Sequence, residues 1–314
     1  MSHQIEIAAN YIREGKLVAF PTETVYGLGA NAFNPQAIAK IYELKERPFF
    51  DPLIVHIAQL SQLETLVATR DERVYHLAER FWPGPLTLVL PKSSLVPEII
   101  SSGLPTVAIR MPANDIALEL ILQSNCPIAA PSANKYGRIS PTSPAHVRKQ
   151  LANVDYILDG GKTTVGIESS IIKLTKRGFQ LLRNGVITQE DLEKILPLDK
   201  TSQTEEISAP GMMKSHYSPG KKFFIAHDNS LSIDKTKAGL ISFSGELEKG
   251  YRKVIRVSEN KDSKDYAVNM FEVMHAFEDD EDIEIIVAEP VSEIGIGKAI
   301  MDRLKKAAFK WQKN

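Results

Sequence analysis

Two cationic side chains lie close together where a helical pattern ends. Lys45 and Arg47 are two positions apart, and Pro48 follows them. Proline disfavours the α conformation at the residue before it, so Arg47 can turn toward the same side as Lys45. A lysine point charge and a bidentate arginine fork together suit a triphosphate. The alternative is a solvated helix C-terminus, where positive charge is favourable.

Three further clusters place hydroxyl and amide groups beside turns at the ends of predicted strands. They are Phe20 to Gly29, in which threonines precede two glycines, Pro131 to Thr142, which contains Ser132 and Asn134, and Thr163 to Ser170. Open α/β sheets bind ligands at strand ends, where such groups hold a phosphate or carboxylate. Capping turns and an ordinary hairpin would explain the same residues. The P-loop pattern is absent, which excludes a nucleotide site of that kind.

For three single residues, the neighbouring sequence does not distinguish a functional role from a structural one. His56 lies inside an apolar run, where a core histidine is the main alternative to a ligand contact. Arg183 stands at a strand end, before an Asn-Gly turn. The single cysteine, Cys126, excludes an intramolecular disulfide and a multi-cysteine zinc site. We interpret it as a small core residue.

The composition is that of a globular protein with two domains. The chain has 314 residues, of which 43% are hydrophobic and 25% charged, and this length exceeds one ordinary core. The net charge of −1 lacks the basic excess that sustained nucleic-acid binding favours. No signal peptide is recognisable, and no apolar run approaches the ~20 residues that cross a bilayer. A cytoplasmic location is therefore expected.

Apolar runs alternate with segments of helical periodicity along the first 200 residues, which predicts a mixed α/β domain. Ile5, Ala8, Ala9 and Ile12 form the apolar stripe of a first helix, and Asn34-Pro35 begins a second. Several runs are joined by short turns, so a wholly parallel sheet does not follow from the pattern. The predicted strands are Leu17 to Phe20, Leu53 to Ile57, Leu86 to Leu90, Val107 to Ile109, Ile128 to Ala130, Tyr156 to Leu158 and Ser170 to Leu174.

A polar stretch with prolines and glycines separates this domain from a second one. The predicted boundaries are a first domain over residues 1–198, a linker over 199–220 and a smaller, Rossmann-like α/β domain over 221–314. The second domain is predicted to contain strands at Phe223 to Ala226, Leu240 to Phe243, Val254 to Val257 and Ile283 to Ala288, and helices at Tyr266 to Phe277 and Lys298 to Phe309.

Five separated motifs together resemble one family. In order they are PTETVYGLGANA, the Lys-x-Arg-Pro segment with PLIVHI behind it, VAIRMP, PSAN with SPT, and GIESSII. Over residues 5–195 the chain resembles the YrdC-type domain of threonylcarbamoyl-AMP synthases. The segment PGMMKSHYSPG and the second domain resemble the two-domain branch of that family. The resemblance implies a YrdC-like twisted mixed sheet with flanking helices.

The resemblance also implies an activity. Members of the family condense L-threonine, bicarbonate and ATP into threonylcarbamoyl-AMP and release pyrophosphate, which makes them nucleotidyltransferases. Their product feeds the threonylcarbamoyl modification of adenosine 37 in tRNAs that read ANN codons, through a transfer complex. We therefore expect Mg²⁺ to arrive with ATP, without a metal site in the protein, direct tRNA binding to be weak at most, and no membrane partner.

Site residues follow from the same resemblance, residue by residue. Lys45, Arg47, Ser132 and Asn134 match the family's Lys-x-Arg and Ser-x-Asn tetrad, and Lys45 and Arg47 are assigned the neutralisation of the two anionic reactants. The residues implied to bind ATP are Arg47, Thr106, Ser132, Asn134, Ser140, Arg183 and, as a lid from the linker, Tyr217. Those implied to surround L-threonine are Thr24, His56, Arg110, Ala130 through its backbone, and Ser169, with Arg110 suited to the carboxylate.

One position departs from the family pattern. Asp51 stands where the family usually has asparagine in the segment before Pro52-Leu53. A carboxylate beside ATP phosphates is repulsive unless it binds Mg²⁺ or points away, which disfavours a direct contact between Asp51 and ATP.

Two alternatives compete with this interpretation. The first is a non-catalytic RNA-binding module with the same fold, which the near-neutral charge disfavours. The second is the related domain of hydrogenase-maturation carbamoyltransferases. Those are larger chains with zinc-finger-like cysteines, whereas this chain has one cysteine.

Overall fold

Two sheets with flanking helices make up the described part of the chain. The computed structural model describes residues 1–201, 213, 216–228 and 230–311. A nine-stranded sheet lies in the first domain and a four-stranded sheet in the second. The predicted mixed α/β fold with a smaller second domain is confirmed. Of the predicted linker over 199–220, residues 202–212 and 214–215 lie outside the described residues.

The first sheet is mixed, as the short connections between apolar runs indicated. Its strands are β1 (Val18–Phe20), β2 (Gly27–Asn31), β3 (Ile54–His56), β4 (Leu86–Pro91), β5 (Thr106–Arg110), β6 (Ile128–Ala129), β7 (Tyr156–Ile157), β8 (Ser170–Thr175) and β9 (Gly178–Arg183). Their order is β7-β1-β2-β6-β3-β5-β4-β8-β9. The pairs β3–β5, β4–β8 and β1–β7 are parallel and the other pairs antiparallel.

Eight helices accompany this sheet within residues 1–201. They are α1 (Ser2–Arg13), α2 (Pro35–Lys45), α3 (Leu60–Leu66), α4 (Glu72–Phe81), α5 (Glu98–Ser101), α6 (Asp115–Ser124), α7 (Pro144–Gln150) and α8 (Gln189–Glu193). The start of α2 is as predicted, because Asn34 caps it by accepting a hydrogen bond from the Ala37 N–H. The helix ends at Lys45 because Glu46 adopts a left-handed conformation with φ 56°. Pro48 disfavours helical geometry at Arg47 and would allow the helix to continue to Glu46, so the observed end lies one residue earlier.

Gly27 and Gly29 lie in a strand, which corrects their interpretation as the end of a turn. Both belong to β2, which pairs antiparallel with β1. A Cβ at Gly29 would lie 2.7 Å from Ile128 Cγ2 and 2.8 Å from Phe20 Cε1. Gly29 is therefore required by the close approach of its neighbours.

The second domain is built on a parallel sheet. Its strands are β10 (Lys222–Ile225), β11 (Ala238–Ser242), β12 (Lys253–Arg256) and β13 (Ile285–Ala288), in the order β10-β13-β11-β12. Two long helices, α9 (Ser263–Asp279) and α10 (Gly297–Ala308), overlap the predicted ones. Among the described residues, every helix is too short or too polar to cross a membrane.

One apolar cluster joins the two domains. Val25, Ile139 and Ile167 of the first domain are buried in the same cluster as Tyr266 and Phe271 of α9. Apolar area removed from water in this way stabilises the contact at roughly 25 cal/mol per Å². The second domain therefore packs directly on the loops that follow β1, β6 and β7.

His275 of α9 makes this contact sensitive to acid. It is 3% exposed, its Nε2 lies 3.1 Å from the Ser140 carbonyl oxygen, and its ring stacks on His146 at 3.8 Å. Burial, with a smaller effect of His146, lowers the pKa of His275 to about 3. The folded protein thus keeps this imidazole neutral at pH values where the unfolded chain binds a proton.

We expect the stability of the folded protein to fall as pH falls below 6.5, and His275 to contribute to this fall. Because the unfolded state binds more protons in that window, His275 accounts for a loss of about 2 kcal/mol at pH 5 relative to pH 7. His275→Gln keeps an N–H donor but does not titrate. Denaturant unfolding at both pH values should show a smaller loss in this variant, and an equal loss would contradict the assignment.

Candidate functional site

A cleft opens where β3 and β5 end and β8 begins, beneath the turn between β1 and β2. The empty space between its walls, counted together with the adjoining open solvent, is about 540 Å³. Its walls combine hydroxyls, cations and small apolar groups, contributed by Thr22, Thr24, Val25, Gly27, Arg47, Ile54, His56, Arg110, Ala130, Pro131, Ser132, Glu168, Arg183, His216 and Tyr217.

The structure brings most of the predicted site residues to this cleft. Eight line it directly: Thr24, Arg47, His56, Arg110, Ala130, Ser132, Arg183 and Tyr217. Lys45, Asn134, Ser140 and Ser169 lie behind the wall, and each is linked by a hydrogen bond to a lining residue or to a residue that contacts one. Their individual roles stay predictions.

Thr106 is a predicted site residue that does not line the cleft. It begins β5 and shares a face of the sheet with Arg110, which ends that strand. The two are four steps apart along the strand, a distance of about 13 Å. A contact between Thr106 and ATP therefore requires the nucleotide to extend along this face.

Lys45 holds the Ser-x-Asn loop. It is 1% exposed, and its ammonium donates to the Ser132 carbonyl oxygen at 2.6 Å and to the Asn134 carbonyl oxygen. Burial and the neighbouring Arg47 lower the pKa of Lys45 well below its ordinary value. The two cations and the loop thus meet at one place, as the sequence indicated. The ammonium lies behind Ser132 and fixes that wall of the cleft.

Arg47 is balanced by the residue that departs from the family pattern. Arg47 Nη2 lies 2.9 Å from Asp51 Oδ1, and the same guanidinium donates to the backbone carbonyl oxygens of Asp51 and Pro52. Asp51 is 1% exposed, and burial raises its pKa despite the two nearby cations. Its carboxylate points at Arg47 and does not line the cleft. Asp51 therefore offsets one arginine charge from within the wall.

The other end of the cleft is built around Arg110. Its Nη2 lies 2.6 Å from Glu23 Oε2, and its Nη1 donates to Thr24 Oγ1 at 2.9 Å. His56 is the register partner of Arg110 on the parallel strand β3. Burial, with a smaller effect of Arg110, lowers the pKa of His56 to about 3, so its imidazole is neutral at physiological pH. A cationic fork beside a hydroxyl and a neutral imidazole suits the carboxylate of an amino acid.

Arg183 lines the cleft and holds Ser169, which lies behind the wall. Arg183 donates to the Ser169 carbonyl oxygen at 3.0 Å and to its Oγ at 3.1 Å. Ser169 Oγ is also 2.7 Å from Thr87 Oγ1. The antiparallel pairing of β8 with β9 places Arg183 beside Ile171, which brings these side chains together.

Reasoning from the sequence missed Glu168 and His216. Glu168 is 6% exposed and accepts a hydrogen bond from Ser140 Oγ at 2.5 Å. Burial would raise its pKa, but Arg303 and Arg183 hold that pKa below its ordinary value. Sequence reasoning did not select it because a carboxylate is unfavourable beside an anionic ligand. Its position next to Ser169 in the GIESSII motif could have identified it. His216 lines the cleft beside Tyr217, and burial lowers its pKa well below the ordinary value.

Carboxylates near the cleft are already paired with arginines. Glu23 faces Arg110, and Asp51 faces Arg47. Across residues 1–201, 213, 216–228 and 230–311, no group of three or more His, Cys, Asp or Glu side chains could hold a metal ion.

Two family patterns match this chain, one in each domain. The sequence pattern of the Sua5–YciO–YrdC family, described as telomere recombination, matches residues 10–185. The pattern of the threonylcarbamoyl-AMP synthase C-terminal domain matches residues 187–309.

Proteins that match along nearly their whole length carry the same name. A threonylcarbamoyl-AMP synthase of Pyrococcus abyssi is 44% identical over 97% of this chain and 94% of its own length. A Bacillus subtilis protein of that name is 42% identical over 97% and 93%. The crystal structure of P. abyssi Sua5 complexed with L-threonine superposes with a TM-score of 0.87 at 43% identity, covering 97% of this chain and 94% of that one. The chain therefore belongs to the Sua5–YciO–YrdC family, in the branch that carries the threonylcarbamoyl-AMP synthase C-terminal domain.

Proposed function

We propose that this chain is an L-threonylcarbamoyladenylate synthase, which forms threonylcarbamoyl-AMP and pyrophosphate from L-threonine, bicarbonate and ATP. The observation that carries the proposal is the division of one cleft into two cationic ends. Arg110 with Thr24 and His56 forms an end suited to an amino acid, and Arg47 with the Lys45-held loop forms an end suited to a triphosphate. Relatives of 44% and 42% identity with this name support it.

The reaction is a nucleotidyl transfer, and the two ends suit its electrostatics. The amine of L-threonine and bicarbonate give a carbamate and water. A carbamate oxygen attacks the α-phosphorus of ATP, and the bond from that phosphorus to the pyrophosphate oxygen breaks. Both reactants are anionic, so Arg47 and Lys45 lower the repulsion between them and stabilise the charge on the leaving pyrophosphate. Tyr217 lies fully buried over the cleft, where its ring excludes water from a hydrolysis-prone product.

Mg²⁺ enters the reaction as part of the ATP substrate. The carboxylates of Glu23 and Asp51 each form an ion pair with an arginine, whose positive charge disfavours a resident metal ion beside them. The triphosphate itself is a sufficient ligand for Mg²⁺, which keeps several waters and binds through phosphates.

We expect chelation to stop pyrophosphate release, and Mg²⁺ added with ATP to restore it. Because the metal binds through the nucleotide, Mg²⁺ without ATP should leave the melting temperature unchanged, whereas Mg²⁺ with ATP should raise it. Differential scanning fluorimetry and a coupled pyrophosphate assay measure both effects. A shift of the melting temperature by Mg²⁺ alone would point instead to a metal site in the protein.

The product is a mixed anhydride, so it must be consumed by a group-transfer reaction. We propose that it passes to a complex that transfers the threonylcarbamoyl group to adenosine 37 of tRNAs reading ANN codons. The near-neutral charge of this chain suits weak direct tRNA binding at most. The alternative of a non-catalytic RNA-binding module is not favoured, because the relatives of 44% and 42% identity are named as synthases.

A pyrophosphate assay with ATP, Mg²⁺ and bicarbonate tests the proposal when each amino acid is added in turn. The control omits bicarbonate. Release that depends on both L-threonine and bicarbonate supports the proposal. Equal release without an amino acid, or retention of tRNA in filter binding without ATP consumption, would overturn it.

A further inference from the structure

In the second domain, a side chain of the protein occupies the carboxyl end of the parallel sheet, where α/β sheets usually bind ligands. Glu289 follows β13, is 2% exposed, and accepts hydrogen bonds from the backbone N–H groups of Phe243, Ser244 and Leu247 after β11. In parallel α/β sheets, amides at this position hold anionic ligands. Here the amides hold a carboxylate of the protein itself. The second domain instead reaches the cleft through its contact with the first domain.

Arg303 of α10 crosses that contact. Its side chain is fully buried, and its Nε lies 3.3 Å from Glu168 Oε2, 135 residues away in sequence. Its Nη1 donates to the Asn184 carbonyl oxygen, and its guanidinium lies 5.7 Å from the centre of the Tyr217 ring. The second domain thus reaches a carboxylate and an aromatic ring that both line the cleft.

Glu168 connects Arg303 to Ser140, because its carboxylate contacts both side chains. Its Oε1 accepts the Ser140 hydroxyl at 2.5 Å while its Oε2 faces Arg303. The second domain also holds Ser140 through its backbone, because His275 Nε2 is 3.1 Å from the Ser140 carbonyl oxygen. Two residues of the second domain, Arg303 and His275, therefore determine the position of Ser140.

Stability alone does not explain a fully buried guanidinium. The cost of removing both charges from water offsets much of the attraction in a buried ion pair, so well-packed apolar residues often replace such a pair without loss. The ion pair of Arg303 and Glu168 instead gives directional contacts on three neighbours, Ser140, Asn184 and Tyr217. Fixed orientation of groups around a reacting phosphate is the function that such contacts serve best.

We propose that Arg303 is a positioning residue of the nucleotide end of the cleft. It fixes the Glu168 carboxylate, through it the Ser140 hydroxyl, and it backs the Tyr217 ring. This inference rests on the proposed function, in which Ser140 and Tyr217 contact ATP. The contacts of Arg110 at the threonine end do not involve Arg303, because Arg110 is held by Glu23, Thr24 and Gly84.

Steady-state kinetics of Arg303→Met in the full chain test the proposal. We expect the KM for ATP to rise about tenfold, as for loss of one charge-assisted hydrogen bond, and the KM for L-threonine to stay within about twofold. The matched control is Lys298→Met on the same helix, since Lys298 pairs at 2.7 Å with Glu190 of the first domain on the surface. Equal rises of both KM values in Arg303→Met, or the same ATP effect in Lys298→Met, would overturn the proposal.

A double-mutant cycle separates positioning from folding. Arg303→Met removes the ion-pair partner of the buried Glu168 carboxylate. Adding Glu168→Gln removes the second charge of the pair as well. If Arg303 acts through Glu168, the double variant should have the ATP KM of Glu168→Gln alone, and fully additive effects would contradict this. Arg303→Lys should restore part of the ATP affinity by keeping the charge.

Ser140→Ala distinguishes failure of the inference from failure of the proposed site. An unchanged ATP KM in Ser140→Ala removes Ser140 from the nucleotide contacts and with it the basis of the inference. A raised ATP KM in Ser140→Ala together with a parental value in Arg303→Met refutes the role of Arg303 alone. Wild-type pyrophosphate release that depends on L-threonine tests the overall function separately.

Discussion

Threonine-dependent pyrophosphate release should fall about 1,000-fold when Lys45 is replaced by alanine, because the substitution removes both a cation and a structural contact. The Lys45 ammonium donates to the carbonyl oxygens of Ser132 and Asn134, which lie in the loop that forms one wall of the cleft. Without it, the loop loses its two hydrogen bonds to the Lys45 side chain, and the nucleotide end loses one of its cations. Initial rates of pyrophosphate release, with circular dichroism to verify folding, measure the effect.

Lys135→Ala is the matched control for this substitution. Lys135 also donates to a backbone carbonyl oxygen, that of Leu44 at 3.0 Å, and pairs with Glu46 at 2.6 Å. Its side chain is 39% exposed, so its contacts are worth little. We expect Lys135→Ala to keep the parental rate within about twofold. A parental rate in a folded Lys45→Ala variant would remove Lys45 from the mechanism.

The second large effect is expected at the threonine end. Replacing Arg110 with methionine removes the fork assigned to the substrate carboxylate and leaves Glu23 buried without its partner. Breaking such a pair destabilises a protein by about 3–5 kcal/mol. The double variant Arg110→Met with Glu23→Gln removes both charges and keeps the fold. In this variant the KM for L-threonine should rise about 100-fold, since loss of one buried charged contact costs roughly 2–5 kcal/mol.

A control at the surface shows whether the effect belongs to the cleft. Arg73 pairs with Asp71 at 2.5 Å, and the two side chains are 32% and 26% exposed. Neither residue lines the cleft. Arg73→Met should leave both KM values within about twofold. An unchanged KM for L-threonine combined with a raised KM for ATP in the Arg110 double variant would reverse the assignment of the two ends.

Much of the fold was predictable from local patterns. The start of α2 follows from Asn34-Pro35, because capping and the fixed φ of proline act within one turn of chain. Most of the strands of both sheets coincide with apolar runs within one or two residues. The strand β2 was not predicted, because Gly27 and Gly29 are typical of turns and only the packing of Phe20 and Ile128 requires them in a strand.

The candidate site was predictable to the extent that its residues lie in short, separated motifs. Lys45, Arg47, Ser132 and Asn134 meet in the structure as the motifs indicated. The motifs predict this meeting because they follow strands of one sheet, and the loops at the ends of neighbouring strands lie close together.

The sequence alone determined which groups are available: the cations, the hydroxyl loops, the linker aromatic and the family. Tertiary structure decided how their charges are shared. It placed Asp51 on Arg47, Glu23 on Arg110 and Glu168 on Arg303. Two of these three pairings join residues distant in the chain, and in the interior each charge must find a partner that packing brings within reach. Local sequence specifies the groups, but only the docking of α10 on the first domain determines that Arg303 is the one that meets Glu168.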